Sequence, residues 1–210
     1  MDIKPEIEKR STEERILDAA MHEFMLKGYA GARTTAIAEA AGVTHAMLHY
    51  YFRTKDKLFD KIIESKISTL RDIMLASLGD PAIPLFDKIK AAIESHQDFI
   101  AANPALPRFM INEVLSRPDR IPVVIEQLRY HVPRVVKSLQ EQIDDYAVRG
   151  LCRKVDAVML MLDIISLNIF PFTAQPMVNA LLGGMMEDGD AFVEARKKEN
   201  VETIMRKLWP

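Results

Sequence analysis

The chain has 210 residues, of which 49% are hydrophobic and 28% charged, with a formal net charge of -2. This content supports a folded core, the charge gives no sign of nucleic-acid binding by the whole surface, and the single cysteine, Cys152, excludes an internal disulfide framework. The charged start MDIKPEIEKR predicts no secretory signal, so a reducing, cytoplasmic location is expected.

The first predicted helix lies in STEERILDAAMHEFMLKG. Ser11 suits its N-cap, Glu14 the returning partner of a capping box, and Gly28 the left-handed residue at its end. Apolar residues recur at helical spacing and predict one buried face: Ile16, Leu17, Ala20 and Phe24.

Two short helices are predicted next, joined by a tight turn through AGVT. Thr34 is the predicted N-cap of the second helix, which ends at Gly42, and Thr44 caps a third helix through about Tyr51. This spacing is typical of a helix-turn-helix. The side chains predicted to face the first helix are Ile37, Ala38, Ala41, Val43 and Leu48.

The outward face of the third helix is predicted to carry His45, Ala46, His49 and Tyr50, a set with the size and chemistry to enter a DNA major groove. Lys55 follows Thr54, the predicted cap of the fourth helix, so its charge adds to the positive end of that helix and favours phosphate. The sequence therefore predicts a DNA-reading face with a phosphate-binding edge, where Tyr51 and Arg53 would also lie.

A set of motifs runs through residues 15 to 63: ILDAA and a phenylalanine in the first helix, G then TT before the second, IA..AGV through the turn, and L.YYF..K..L across the third and fourth. In these motifs the segment resembles the amino-terminal domain of the TetR/AcrR family of bacterial transcription regulators. The resemblance implies an all-helical homodimer, a third helix that recognises DNA, a phosphate contact at Tyr51, and a carboxy-terminal domain that binds a small effector and dimerises. The carboxy-terminal half resembles the family only in length and helical composition.

The residues and the resemblance together predict a set of DNA contacts: Thr34, Thr35, Thr44, His45, Ala46, His49, Tyr50, Tyr51 and Lys55. For the surface bases Arg33, Arg53 and Lys57, ordinary solvated side chains are the alternative. Ala36 and Glu39 replace basic groups in the second helix and predict few base contacts there.

The two histidines His45 and His49 have the four-residue spacing of a metal-binding pair. No acidic residue or cysteine lies near them on that face, so we predict neither a metal site nor a cofactor. Solvated surface histidines are the remaining alternative to DNA contact.

A long helix is predicted from Lys55 to about Leu78, bridging a DNA-binding domain over 1–54 and a larger domain over 55–210. We then expect a helix from about Leu85 to Ala102, a short one between prolines, and a long one that Pro133 interrupts or kinks and Gly150 ends. The last two helices, about 154–170 and 190–208, are expected to dimerise, following the family's order. The apolar run from Ala157 is predicted to be too short and too interrupted for a membrane span.

Prolines and a short helix in the middle of the chain favour a gap for a small, mainly apolar effector. Ordinary core packing of the same side chains is the alternative. The predicted effector contacts are Phe99, Phe109, Met110, Asn112, Leu128, His131, Met159, Leu162 and Asn168.

The sequence thus predicts an all-α, ligand-responsive repressor: an N-terminal three-helix helix-turn-helix domain followed by a larger helical ligand-binding and dimerisation domain. As a homodimer it would bind a palindromic operator in double-stranded DNA. No enzyme is predicted, since no glycine-rich phosphate loop, nucleophile elbow or zinc-protease helix pair is present. A helical scaffold that has lost DNA affinity is the other alternative, favoured by the acids Glu13, Glu14, Asp18 and Glu39.

Overall fold

A computed structural model describes residues 11–184 and 189–209. The predicted all-α class is confirmed, with no strand within these residues; the charged start lies outside them. The helices are α1 Thr12–Gly31, α2 Thr34–Ala40, α3 His45–Phe52, α4 Lys55–Leu78, α5 Leu85–Ala101, α6 Leu106–Met110 followed by a π-helical turn Ile111–Leu115, α7 Ile121–Leu128, α8 Val132–Val148, α9 Ala157–Leu182 and α10 Gly189–Leu208.

Helix α1 begins with the predicted capping box. The Glu14 amide donates to the Ser11 hydroxyl at 3.2 Å, and the Ser11 amide donates to the Glu14 carboxylate at 2.8 Å. Gly28 has the predicted positive φ, 67°, but it kinks the helix instead of ending it, because the chain returns to helical geometry through Gly31.

The capping predictions for the next helices hold with one correction. Thr44 and Thr54 accept the amides of Met47 and Lys57, each at 3.2 Å, as N-caps do. Thr34 was predicted as the α2 cap, but Arg33 holds that position without a side-chain bond. The Thr34 hydroxyl is therefore left for another partner.

The chain forms two compact units. The first unit runs to Ile67 and includes Phe109–Ile125; the second unit comprises Ser68–Arg108 and the chain from Glu126 onward. Helix α4 belongs to both, since the division falls within it. The core of the second unit includes buried residues of α5, α8, α9 and α10: Leu85, Ile89, Ile93, Leu139, Ile143, Leu160, Ile164, Ile204 and Leu208.

Proline positions correct two sequence predictions. Pro133 lies in the first turn of α8, where its missing amide proton costs no hydrogen bond, so it starts the helix and does not interrupt or kink it. Helix α9 begins after the Asp156 cap and continues through Pro171 and Pro176 to Leu182, well beyond the predicted end at Phe170.

Helix α9 continues past Pro171, where the Arg196 side chain donates to a backbone carbonyl oxygen. Proline at 171 deprives the Leu167 carbonyl of its usual helical donor, and the Arg196 guanidinium donates to that oxygen at 3.5 Å. The resulting stretch Ala157–Leu181 is long enough to cross a membrane, and its most apolar 18-residue window has a mean hydropathy of 1.8. The prediction that this run is too short and too interrupted to cross a membrane was therefore wrong, although length and composition alone do not distinguish a membrane span from an apolar helix of a soluble protein.

Candidate nucleic-acid interface and effector cavity

The buried and exposed side chains of helix α3 are those that the sequence predicted. Leu48 and Phe52 are buried in the first unit, while Tyr50 is 81% exposed. His45, Ala46 and His49 are exposed as well. The side chains predicted to enter a DNA groove therefore share one accessible face of a short, capped helix.

The two histidines of that face have fixed orientations. Their rings meet edge to face, 4.4 Å between centroids. His45 Nε2 lies 3.0 Å from the Thr34 hydroxyl, and His49 Nδ1 lies 2.8 Å from the Arg53 carbonyl oxygen. Because a carbonyl oxygen only accepts, His49 carries a proton on Nδ1, and its Nε2 remains for an outside partner. The described residues contain no group of three histidine, cysteine, aspartate or glutamate side chains that could hold a metal ion.

The edge of the face is built around the start of α4. Lys55 Nζ lies 4.5 Å from the centroid of the Tyr29 ring, and the Tyr29 hydroxyl donates to Asp56 at 2.5 Å. Burial, followed by the bond to Asp56, raises the pKa of Tyr29 to about 12. The lysine therefore has a rigid, uncharged platform beneath it. Tyr51, four residues before Lys55 in the chain, is 42% exposed, and Thr35 is exposed at the start of α2.

A γ-turn at Arg53 was not predicted from the sequence. Arg53 has φ 57°, and the Thr54 amide donates across it to the Phe52 carbonyl at 2.6 Å. Within the described residues it is the one non-glycine residue with positive φ. The turn gives His49 its carbonyl partner, so backbone strain helps to orient a groove-facing side chain.

The second unit contains a cavity of about 200 Å³. Its walls come from α4, α5, α7, α8 and α9 and are mainly apolar. The lining residues are Leu70, Ile73, Met74, Leu78, Ala92, Leu128, Val132, Met161, Ile164 and Ile165, with the polar Arg71, Ser77 and His96.

Of the predicted effector contacts, Leu128 lines this cavity. Phe109 packs against Phe59 in the first unit, 5.5 Å between ring centroids, and so lies among core aromatics there. Phe99 is buried, whereas Met159 and Leu162 are about half exposed on α9. Met110 and Asn112 belong to the stretch after Phe109, and His131 stands at the N-cap of α8. Helical spacing alone does not place a side chain against a cavity.

His96 lines the cavity but was not predicted from the sequence as an effector contact. It is only 8% exposed, and its Nδ1 lies 3.0 Å from the side-chain nitrogen of Asn168, one of the predicted effector residues. Burial lowers the pKa of His96 to about 4. A histidine on the apolar face of α5, at helical spacing from Ile89 and Ile93, was the available signal.

The burial of His96 gives a pH-dependent stability. Because its folded pKa is below the usual 6.5, neutral His96 contributes stability above about pH 6.5, and this contribution is lost as the pH falls towards 4. Between pH 7 and pH 5 we expect a loss of about 2 kcal/mol in the free energy of unfolding. Urea titrations at both pH values measure it. The variant His96→Gln should lose about 2 kcal/mol less over the same interval, and an equal loss would refute the assignment.

Parts of both units match models of known protein families. Residues 16–62 match the family model of bacterial regulatory proteins, tetR family, and residues 86–204 match that of the tetracyclin repressor-like C-terminal domain. A helix-turn-helix transcriptional repressor of Streptomyces coelicolor is 26% identical over 190 residues, covering 90% of this chain and 92% of that protein. The regulator RutR of Escherichia coli is 26% identical over 196 residues, covering 90% and 86%.

Solved structures show the same fold. The fatty acid degradation regulator FadR of Bacillus halodurans has a TM-score of 0.69 at 20% identity, over 94% of this chain and 96% of that one. FadR of Bacillus subtilis, in complex with stearoyl-CoA, has a TM-score of 0.67 at 17% identity, over 92% and 98%.

Proposed function

The chain belongs to the TetR family of transcription regulators, and from this we propose a repressor that binds a palindromic operator as a homodimer and is released by a small, mainly apolar effector. The observation that carries the proposal is the accessible face of α3, with His45, His49 and Tyr50 held outward by the buried Leu48 and Phe52. In this proposal residues 1–54 read DNA, and residues 55–210 bind effector and dimerise in the cytoplasm.

The proposed base contacts come from the groove-facing residues, and the proposed phosphate contacts from their surroundings. His49 Nε2 is available to a base edge, while Tyr50 and Ala46 offer apolar surface. Thr34, Thr35, Thr44, Tyr51 and Lys55 would position the helix on the phosphates. The Thr44 hydroxyl accepts the Met47 amide, so its own proton remains for a phosphate oxygen.

The proposed dimer is supported by the uncovered apolar side of α9. Its exposed side chains are Val158, Met159, Leu162, Ile165, Phe170, Met177 and Leu181. Only 28% of the most apolar 18-residue window of the helix is buried within one chain. A second copy would cover this surface and bring two α3 helices to one palindrome.

The proposed effector site is the cavity of the second unit. Its lining is mainly apolar, and the acyl chain of the stearoyl-CoA bound by the related FadR structure is apolar too. An effector releases DNA only to the extent that it prefers the dimer conformation that binds DNA less well.

Two substitutions separate base reading from phosphate binding. Lys55→Ala is expected to weaken binding to every duplex about tenfold and to flatten the dependence of affinity on salt, because one phosphate contact is lost. His49→Ala is expected to change the preferred sequence. The measurement is selection from a random duplex library at about 0.15 M salt, followed by salt titration of the recovered site.

The matched control is Lys137→Ala, an exposed lysine of α8 paired with Glu141, which should leave affinity and salt dependence unchanged. Recovery of no preferred duplex, or identical behaviour of Lys55→Ala and Lys137→Ala, would remove the proposed interface and favour the scaffold alternative.

A further inference from the structure

We propose that the effector is a compact, uncharged, mainly apolar molecule with one acceptor oxygen, and that this oxygen receives the Nε2 proton of His96. The proposal rests on the function proposed above, since it specifies the ligand of the same cavity.

A one-directional chain of hydrogen bonds fixes the His96 tautomer. Arg196 donates to the Asn200 side-chain oxygen at 2.6 Å, and the Asn200 side-chain nitrogen donates to the Asn168 oxygen at 2.8 Å. The Asn168 nitrogen donates to the Ile93 carbonyl and faces His96 Nδ1, each at 3.0 Å. Because a guanidinium only donates, neither asparagine can be reversed without losing a bond. His96 Nδ1 therefore accepts, and Nε2 carries the proton.

His96 Nε2 has no hydrogen-bond acceptor among the described residues, and because Nδ1 faces Asn168, Nε2 is the ring nitrogen that remains for a ligand. The His96 ring is part of the cavity wall, and among the described residues its hydrogen-bonding partner is Asn168. Nε2 is not among the enclosed, unpartnered side-chain atoms, which belong to Gln97, Glu113 and Arg196. It is a donor held in one orientation and left open to a ligand.

The charges around the cavity favour a neutral ligand. Arg71 is the other ionisable residue among its described lining residues, and its guanidinium is committed to Asp72 at 2.8 Å and to Gln127 at 3.3 Å. A carboxylate in the cavity would compete with Asp72 for this cation or remain unpaired, which is costly in apolar surroundings. A carbonyl or ether oxygen needs only the proton that His96 offers.

The volume limits the size of the ligand. A cavity of about 200 Å³ is somewhat larger than the roughly 150 Å³ apolar cavity that accommodates benzene. A substituted six-membered ring or a short branched chain fits this space.

Calorimetry with three probes of equal heavy-atom count tests the proposal without DNA: acetophenone, cumene and benzoate. The wild type should bind acetophenone about tenfold more tightly than cumene, which lacks the acceptor, and more tightly than benzoate. His96→Leu should remove the preference of acetophenone over cumene. His96→Gln should restore it, since its amide can accept from Asn168 and still donate into the cavity. His22→Leu replaces an exposed histidine of α1, in the first unit, and should leave the preference unchanged.

Several results would overturn the proposal: equal binding of acetophenone and cumene, tightest binding of benzoate, no binding of any probe, or a preference that persists in His96→Leu. The comparison of acetophenone with cumene on the wild type tests the proposal even if a variant fails to fold. Failure of the library selection would instead refute DNA recognition, and the calorimetry does not depend on that outcome.

Discussion

Arg120→Ala is expected to lower the free energy of unfolding of the first unit by about 4 kcal/mol, because Arg120 is a buried cation held between aromatic rings. Its guanidinium carbon lies 3.9 Å from the centroid of Tyr29 and 4.1 Å from that of Phe59. It also donates to the Glu113 carbonyl at 3.2 Å and lies 3.8 Å from the Glu113 carboxylate. One side chain thereby joins α1, α4 and the segment after α6.

The expected loss of stability is large because Glu113, Tyr29 and Phe59 would have no equivalent partner in place of Arg120. Glu113 Oε2 is enclosed and has no hydrogen bond, so without Arg120 its nearest cation would be Arg117 at 3.9 Å. The two rings would lose a desolvated cation–π contact and face a void. Breaking a buried ion pair from one side costs more than the pair contributes, since a charge remains buried.

Amide hydrogen exchange measures the loss of stability in the first unit separately from the second. Protection of α1 and the amino-terminal part of α4 should fall, whereas protection in α8 should change little, since α8 belongs to the second unit. Arg117→Ala is the matched control, because Arg117 is exposed and its contact with Glu113 is long, and it should cost less than about 1 kcal/mol. Equal effects of the two substitutions would show that Arg120 is an ordinary surface base.

What the sequence predicted correctly depends on local signals. The Ser11 capping box, the Thr44 cap and the buried Ile37, Ala38 and Leu48 all follow from spacings of a few residues. The outward face of α3 follows from the same periodicity. These features need no knowledge of the remainder of the chain.

What the sequence did not predict depends on residues that are distant in the chain. Pro171 was expected to end a helix, but Arg196, 29 residues from Leu167, donates to the carbonyl that the proline leaves open. Arg120 was not singled out, because its sandwich with Tyr29 and Phe59 exists only after folding. The cavity is a volume between helices, and no pattern along one helix displays a volume.

Gly28→Ala is expected to lower the free energy of unfolding of the first unit by about 3 kcal/mol, because both backbone and side-chain space are restricted there. Gly28 has φ 67° and ψ 173°, a region essentially confined to glycine. A Cβ at this position would lie 2.5 Å from Glu113 Oε1, so a carboxylate that faces Arg120 would have to move.

Gly31→Ala separates these causes from the general effect of adding a methyl group to α1. Gly31 has no positive φ, and its Cβ would meet Lys27 Cβ at 3.2 Å, so the gain in helix propensity, about 1 kcal/mol at most, should largely offset the contact. In the same exchange experiment, Gly28→Ala should lower protection in α1 and in the Phe109–Ile125 segment together, because Glu113 links them. A loss confined to the last turn of α1, or equal for both substitutions, would mean that Glu113 moves aside freely and that the kink is not held by this contact.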